Sequence, residues 1–319
     1  MIDVSIVIIS FNTREITIAC LESIIENCKN CKLEIIVVDN CSSDGSKEAV
    51  ARQFPNVRLI CNSDNLGFAA ANNQAFKVCS GKYVLLLNSD TVILGDVLAQ
   101  SMLYMDQHLD VGVFGCRVLN PDLTMQKTCF MYPTFLNLLL MTTGLSKLPW
   151  PKVLGRASMS HWKRDSDREV EVVTGCYMLV RKEAMDQVGW LDDSFFFCGE
   201  ETDWCYRMKK AGWRICFSPV GEIVHIGNAS GRRFEARRDI MLTQGIVRFN
   251  RKQFGFLIGG LAYCLLFVFC ATHWIFWAVI CLLSRTDHAR QRRDHFRQVV
   301  VGFSDAWPKM KLSVNQSAE

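Results

Sequence analysis

The chain is short of the signatures that would place it in several common classes. No Gly-x-Gly-x-x-Gly follows its first apolar run, and no Gly-x-x-x-x-Gly-Lys-Ser/Thr occurs in it. Those absences argue against a dinucleotide fold of the dehydrogenase kind and against a P-loop NTPase. Cys28 and Cys31 have a CxxC spacing, but no second pair stands at zinc-site distance. The first residues lack a basic stretch leading into an apolar run with a small-residue cleavage site. No internal repeat is visible. The 15 cysteines are odd in number and scattered, so they are expected to be reduced thiols of a cytosolic domain, most of them small core residues.

What is present begins with two hydrophobic runs that each end in an acid. Leu33 to Val38 stops at Asp39-Asn40, and Tyr83 to Leu87 stops at Asn88-Ser89-Asp90. Short apolar runs rich in branched residues and bounded by turn residues read as buried strands of a parallel sheet. Val4 to Ile9 is a third such run, and Val57 to Cys61 a shorter fourth. Helical patterns separate them, one after Thr13 as N-cap, one up to about Phe54, one from Asn65 to Cys79. This alternation predicts an α/β fold with a doubly wound, mostly parallel, Rossmann-like sheet. Ligands of such sheets bind beyond the carboxyl ends of the strands, so Asp39 and Asp90 are expected at the rim of one crevice.

The second half is less regular. Val111 to Val118 predicts a strand. Residues 130–170 hold Pro133, Pro149, Pro151 and Lys163-Arg164-Asp165, and read as a partly mobile loop over a cleft. Strand character returns around Thr174-Gly175-Cys176. A second acidic cluster, Glu200, Glu201 and Asp203, stands at the head of a helix expected from about Thr202 to Ala211 and stopped by Gly212.

Residues 256–283 carry one imidazole, one phenol and thiols as their ionisable groups. The run exceeds the roughly 20 residues that span hydrocarbon. It reads as a tilted span or as a hairpin lying partly in one leaflet, with a buried core helix as the plain alternative. Arginines cluster on both sides, among them Arg232, Arg233 and Arg238 before it and Arg285, Arg292 and Arg297 after it. Anionic lipid headgroups suit these clusters better than nucleic acid does, because they flank a membrane-like segment. The expected division is a globular domain over 1–250 (halves 1–120 and 121–250), a hydrophobic segment over 254–284 and a basic cytosolic tail over 285–319.

Five stretches, in order, resemble glycosyltransferase family 2: Val4–Asn12 (VSIVIISFN), Ile36–Gly45 (IVVDNCSSDG), Asn65–Asn73 (NLGFAAANN), Leu85–Thr91 (LLLNSDT) and Phe195–Arg207 (FFFCGEETDWCYR). The likeness is nearest to the rhamnosyltransferase-like branch that builds bacterial surface polysaccharides, and covers roughly residues 3 to 250. It implies a GT-A-type domain that binds a nucleotide diphosphate sugar with a divalent metal, Mg²⁺ or Mn²⁺. Residues 1–120 would be the nucleotide-sugar half and 121–250 the acceptor half.

On that resemblance Asp39 accepts a hydrogen bond from the base of the nucleotide, a role that suits an acceptor-only carboxylate. Ser10 and Asn12 line the same donor site. Asn65, Gly67 and Asn72 belong to a helix start whose free N–H groups face phosphate or ribose. Asn88-Ser89-Asp90 stands where the family has Asp-x-Asp, so Asp90 remains as its anionic metal ligand, with His225 as a further one. The family's usual Glu-Asp is Glu200-Glu201 here, which makes Glu201 the expected base, with Asp203 and Glu200 as fallbacks. Trp190, Trp204 and Trp213 are expected in the core.

The expected activity is inverting transfer of a hexose or deoxyhexose to a lipid-linked glycan at the cytoplasmic face of a bacterial inner membrane. Three alternatives stay open: transfer to polyprenyl phosphate itself, a non-catalytic membrane-anchored nucleotide-sugar binder, and a nucleotidyltransferase. The last would want a basic glycine-rich loop after the first strand, and Ser10-Phe11-Asn12-Thr13 is not one.

Overall fold

The structure is a computed structural model that describes residues 2–148, 150–227, 235–284 and 286–308. Arg232, Arg233 and Arg285 lie outside the described residues. The chain divides into two compact units, Met1–Phe234 and Glu235–Glu319. The sequence placed that division near residue 250. A charged helix over Glu235–Phe254 belongs with the second unit.

In chain order the first unit holds β1 (Val4–Ser10), α1 (Arg14–Asn27), β2 (Leu33–Asp39), α2 (Ser46–Gln53), β3 (Arg58–Cys61), α3 (Phe68–Phe76), β4 (Tyr83–Asn88), β5 (Thr91–Leu94), α4 (Val97–Gln107) and β6 (Val111–Leu119). There follow β7 (Met125–Gln126), β8 (Cys129–Phe130), α5 (Phe135–Thr142), β9 (Arg168–Glu169), β10 (Val172–Val173), β11 (Tyr177–Arg181), α6 (Lys182–Val188), α7 (Glu200–Lys210) and β12 (Arg214–His225). The second unit holds α8 (Glu235–Phe254), α9 (Phe256–Ser284) and α10 (Asp287–Val301).

The main sheet runs β3-β2-β1-β4-β11-β6-β12-β5. β3, β2, β1 and β4 are mutually parallel, as the alternation of runs predicted. β1, β2 and β4 are almost wholly buried, so both faces are covered and the runs are continuously apolar. In the interior of the sheet β11 is reversed, antiparallel to β4 and β6, and β5 at the edge is antiparallel to β12. The first residue of β11, Tyr177, pairs with Leu87 near the end of β4. The chain enters there from an irregular segment, with no helix to carry it back to the other end, so it runs antiparallel.

Several boundaries move. α3 starts at Phe68 rather than Asn65, and α7 starts at Glu200 rather than Thr202. Thr13 holds the N-cap position of α1, but its hydroxyl does not cap; it bonds Thr17 (3.1 Å) and Ser10 (3.3 Å) instead. Residues 130–170, read as a loop, hold α5 and a buried arginine. Thr134 caps α5 through Asn137 N–H, and Leu138 and Leu140 are buried. Arg164 is 1% exposed and donates to the carbonyls of Trp162, Cys129 and Ser158. A charged triplet in sequence is thus an internal tie. All 15 cysteines are free and most are buried, consistent with small core residues.

Removing the Arg164 guanidinium leaves three carbonyls without that donor. Arg164→Met is therefore expected to destabilise the first unit by about 2–4 kcal/mol. Urea unfolding followed by tryptophan fluorescence reads this; a loss below about 0.5 kcal/mol would mean the segment is not held by that side chain.

Candidate active site

Strand register assembles the site. Ser10 is opposite Asp39, and Ile9 is opposite Asn88. The turns after β1, β2 and β4 therefore open on one edge of the sheet. Backbone strain gathers there: Asn12 (φ 53°), Cys41 (φ 70°) and Cys198 (φ 64°) are left-handed without being glycine.

The first two turns brace each other. Asn12 Oδ1 accepts from Ser43 N–H at 2.8 Å, and Asn12 N–H donates to Ser42 Oγ at 3.0 Å. Ser10 is buried, its hydroxyl bonded to Thr13 and Thr17. The Ser10 hydroxyl is spent within its own turn, and the Asn12 side-chain carbonyl oxygen braces the next one. Asp39 is 1% exposed, and Oδ2 accepts from Ser42 N–H at 2.9 Å. Its other oxygen, Oδ1, is buried without a partner. The Asx-type turn is present, and one carboxylate oxygen is left for a donor outside the protein.

Asn40, which the sequence reading passed over, organises the next turn. Its Nδ2 donates to Asn65 Oδ1 (2.8 Å), and its Oδ1 accepts from Leu66 N–H (3.1 Å) and Asn62 Nδ2 (3.1 Å). Asn65 Oδ1 also accepts from Gly67 N–H. Asn65 is committed to this turn and does not start the helix. Gly67 has φ +83°, and a Cβ there would collide with the Phe196 carbonyl. That carbonyl accepts from Phe68 N–H at 3.0 Å. The close approach that Gly67 permits is to the Phe196 backbone. Asn72 is buried in α3 and donates to Phe68 O, while its Oδ1 has no partner.

At the end of β4, Asp90 meets His225, the last residue of β12. Gln126 holds the ring: its Nε2 donates to Asn120 Oδ1 (2.8 Å), which leaves its Oε1 facing His225 Nδ1 at 2.6 Å. The proton of a neutral imidazole then sits on Nδ1, and Nε2 carries the lone pair. Nε2 lies 3.1 Å from Asp90 Oδ1 and 3.2 Å from Asn88 Nδ2. A lone pair and a carboxylate oxygen so close repel unless a proton or cation lies between them. The separation also matches neighbouring ligands of an octahedral Mg²⁺ or Mn²⁺, about 3 Å apart for bonds near 2.1 Å. Gln126 Oε1 fixes the orientation of the ring through Nδ1. Among the described residues no cluster of three or more His, Cys, Asp and Glu forms a closed metal cage. Ser89 bonds Thr13 through its hydroxyl, tying this turn to α1.

The acidic cluster stands close by. Asn88 N–H donates to Cys176 O, and Gly175 N–H donates to Glu201 Oε1 at 3.1 Å. A Cβ on Gly175 would touch Glu201 Oε1 and the Phe68 ring, so the glycine lets all three close up. Glu200 is buried, with Oε2 unpartnered. Burial, then the charge of Glu201, push the Glu200 carboxyl well above its usual range. Burial also raises Glu201. Both carboxyls are thus raised, Glu200 the more strongly, while Gly175 N–H holds the Glu201 carboxylate. Asp203 is fully buried and paired with Arg207 at 2.8 Å, which withdraws it as a base. Trp204 is buried and donates to Gly189 O, as expected of a core residue.

With this geometry in place, comparison with known proteins gives the class. The family model described as Glycosyl transferase family 2 matches residues 5–189. The chain belongs to that family. A relative is the N-acetylglucosaminyl-diphospho-decaprenol L-rhamnosyltransferase of Mycobacterium tuberculosis, 26% identical over 209 residues, covering 60% of this chain and 66% of that protein. The O-antigen biosynthesis protein RfbC of Myxococcus xanthus is 24% identical over 230 residues, covering 71% of this chain but 17% of its own length. Among solved structures, a mannosyltransferase of Pyrobaculum calidifontis in complex with GDP-Man and Mn²⁺ superposes with a TM-score of 0.56 at 17% identity, covering 95% of this chain and 89% of that one. The fold is GT-A type, with one long apolar helix near the C-terminus.

The raised pKa of the Glu200 carboxyl has a thermodynamic consequence. The folded chain holds a proton that the unfolded chain releases above about pH 4.3. Stability is then lost as pH rises from there toward the folded value. Glu200→Gln, uncharged at every pH, is expected to match the wild type near pH 4 and to exceed it by about 1 kcal/mol or more at pH 8. Urea midpoints across that range check it; a gap independent of pH contradicts the assignment.

Proposed function

We propose that the protein is an inverting glycosyltransferase that moves a hexose or deoxyhexose from a nucleotide diphosphate sugar to a lipid-linked glycan. The single observation that carries this reading is the arrangement at the sheet edge. An Asp90–His225 pair spaced for one divalent ion lies across Asn88, Cys176 and Gly175 from a carboxylate with a raised pKa. Asp39 takes the nucleoside by accepting from a base N–H once its buried, unpartnered oxygen is uncovered. Asn40 and Asn65 hold the turn beside it.

Asp90 and His225 Nε2 would hold Mg²⁺ or Mn²⁺, which when bound neutralises charge on the departing diphosphate. Gln126 keeps the His225 lone pair pointed at that position. Glu201 accepts the proton of the acceptor hydroxyl as its oxygen bonds the anomeric carbon, while the bond from that carbon to the diphosphate breaks on the opposite face. The anomeric configuration inverts. Desolvation brings the Glu201 pKa toward working pH, which is what a general base needs. Glu200, protonated and behind it, limits the charge in the pocket.

The name of the mycobacterial relative, with a diphospho-decaprenol acceptor, supports a lipid-linked acceptor, as does the apolar helix of the second unit. Both favour a site at the cytoplasmic face of a bacterial inner membrane.

The test is a donor screen on membrane-reconstituted full chain with UDP-, dTDP- and GDP-sugars, with and without Mg²⁺ or Mn²⁺. Metal-dependent release of one nucleoside diphosphate is expected. Glu201→Gln should lower turnover by about 10²- to 10⁴-fold with nucleotide binding intact. His225→Ala should raise the metal concentration needed for half activity by about tenfold or more. Binding without turnover from any donor, with a lipid-linked acceptor supplied, would favour a non-catalytic binder.

A further inference from the structure

The apolar helix α9 has two unlike faces. Leu257, Leu261, Val268, Ile275, Val279 and Leu282 are exposed, at spacings of three, four and seven. They form one stripe along the whole helix. The opposite face is covered by neighbours in the same unit. The Tyr263 ring centroid is 4.9 Å from Phe303 and 5.3 Å from Trp307, and Trp277 is 5.5 Å from His288. Phe256 meets Trp307 at 5.6 Å. α10 and the turn after it therefore run back, antiparallel, beside α9 from Trp277 to Phe256. That stretch is about 32 Å at 1.5 Å per residue, the full thickness of a hydrocarbon core of about 30 Å.

α10 is not a membrane helix. It carries four arginines and two aspartates in fifteen residues. The Arg292 guanidinium lies 5.9 Å from the Trp277 ring centroid and 5.2 Å from that of Phe296. His295 bonds Asp239 of α8 at 3.0 Å, and Phe296 packs with Cys270 midway along α9. If α9 crossed a bilayer, these charges would be carried into its centre, where ionisable groups are expelled. Nor is α9 a core helix: only Gly259, Ala262 and Cys270 are buried in it. One face is made for hydrocarbon, and the other carries a charged helix for headgroups.

We propose that the second unit docks in the plane of an anionic bilayer and does not cross it. The Leu257-to-Leu282 stripe enters one leaflet, and exposed arginines of α10, Arg292 and Arg297 among them, meet lipid phosphates. The inference rests on the membrane-surface part of the function above and not on its chemistry.

The decisive experiment reads topology without activity. Full chain tagged at both ends is placed in sealed inverted inner-membrane vesicles and treated with protease from outside. Digestion of both tags is expected; a C-terminal tag protected until detergent is added overturns the proposal. In flotation assays the wild type should rise with phosphatidylcholine–phosphatidylglycerol vesicles in preference to phosphatidylcholine alone. Val268→Asp with Ile275→Asp should abolish flotation while nucleotide binding stays at the wild-type level. Arg292→Glu with Arg297→Glu should reduce the preference for anionic vesicles by about tenfold. Equal flotation with both lipids overturns the role of the arginines. A wild type that does not float and sediments as a dimer overturns the membrane assignment, because a second copy then covers the stripe. Nucleotide binding, measured on the same samples, separates these failures from failure of the proposed chemistry.

Discussion

The register of β1 with β2 on one side and β4 on the other is the constraint on which the rest depends. Seven consecutive residues of β1 pair with β2, ending at Ser10 and Asp39. Ile9 pairs with Asn88 at the end of β4. Because both faces of these strands are buried, a slip would move apolar groups to the wrong side throughout. The polar turns have no freedom to go elsewhere, so Asp39 and Asp90 are delivered to one edge by the packing of Ile6, Ile8, Val37 and Leu85.

Around that edge, polar groups do two different jobs. Asn12, Asn40, Asn65 and Ser89 spend their hydrogen bonds on other turns, making a rigid rim. Asp39 Oδ1 and Glu200 Oε2 are buried without a partner, and His225 Nε2 is shared between Asn88 Nδ2 and the Asp90 carboxylate. Buried polar atoms without partners are costly, and they persist where a ligand or a proton completes them. The structure thus separates scaffold from chemistry more sharply than residue type does. The asparagines near the site look alike in sequence, yet Asn12, Asn40 and Asn65 are braces.

The two carboxylates of Glu200-Glu201 show the same division. They are adjacent in sequence, yet one is sealed in the interior and the other reaches Gly175 in the cleft. Asp203, a further candidate by type, is consumed by Arg207. The choice among three acids is made by burial and by one backbone N–H.

The chain's order of apolar runs, helical patterns and terminal acids determined the fold class and the strand ends that carry those acids, because period and burial are local properties of sequence. It also marked the long apolar helix. Tertiary structure decided the rest. His225 and Gln126 are 99 residues apart, so no local signal ties them. The reversed strand β11, the buried Arg164, the glycine at 67 serving Phe196, and the charged helix lying against α9 all depend on contacts between distant segments. A sequence states which groups want water and which do not; only packing decides which of them meet.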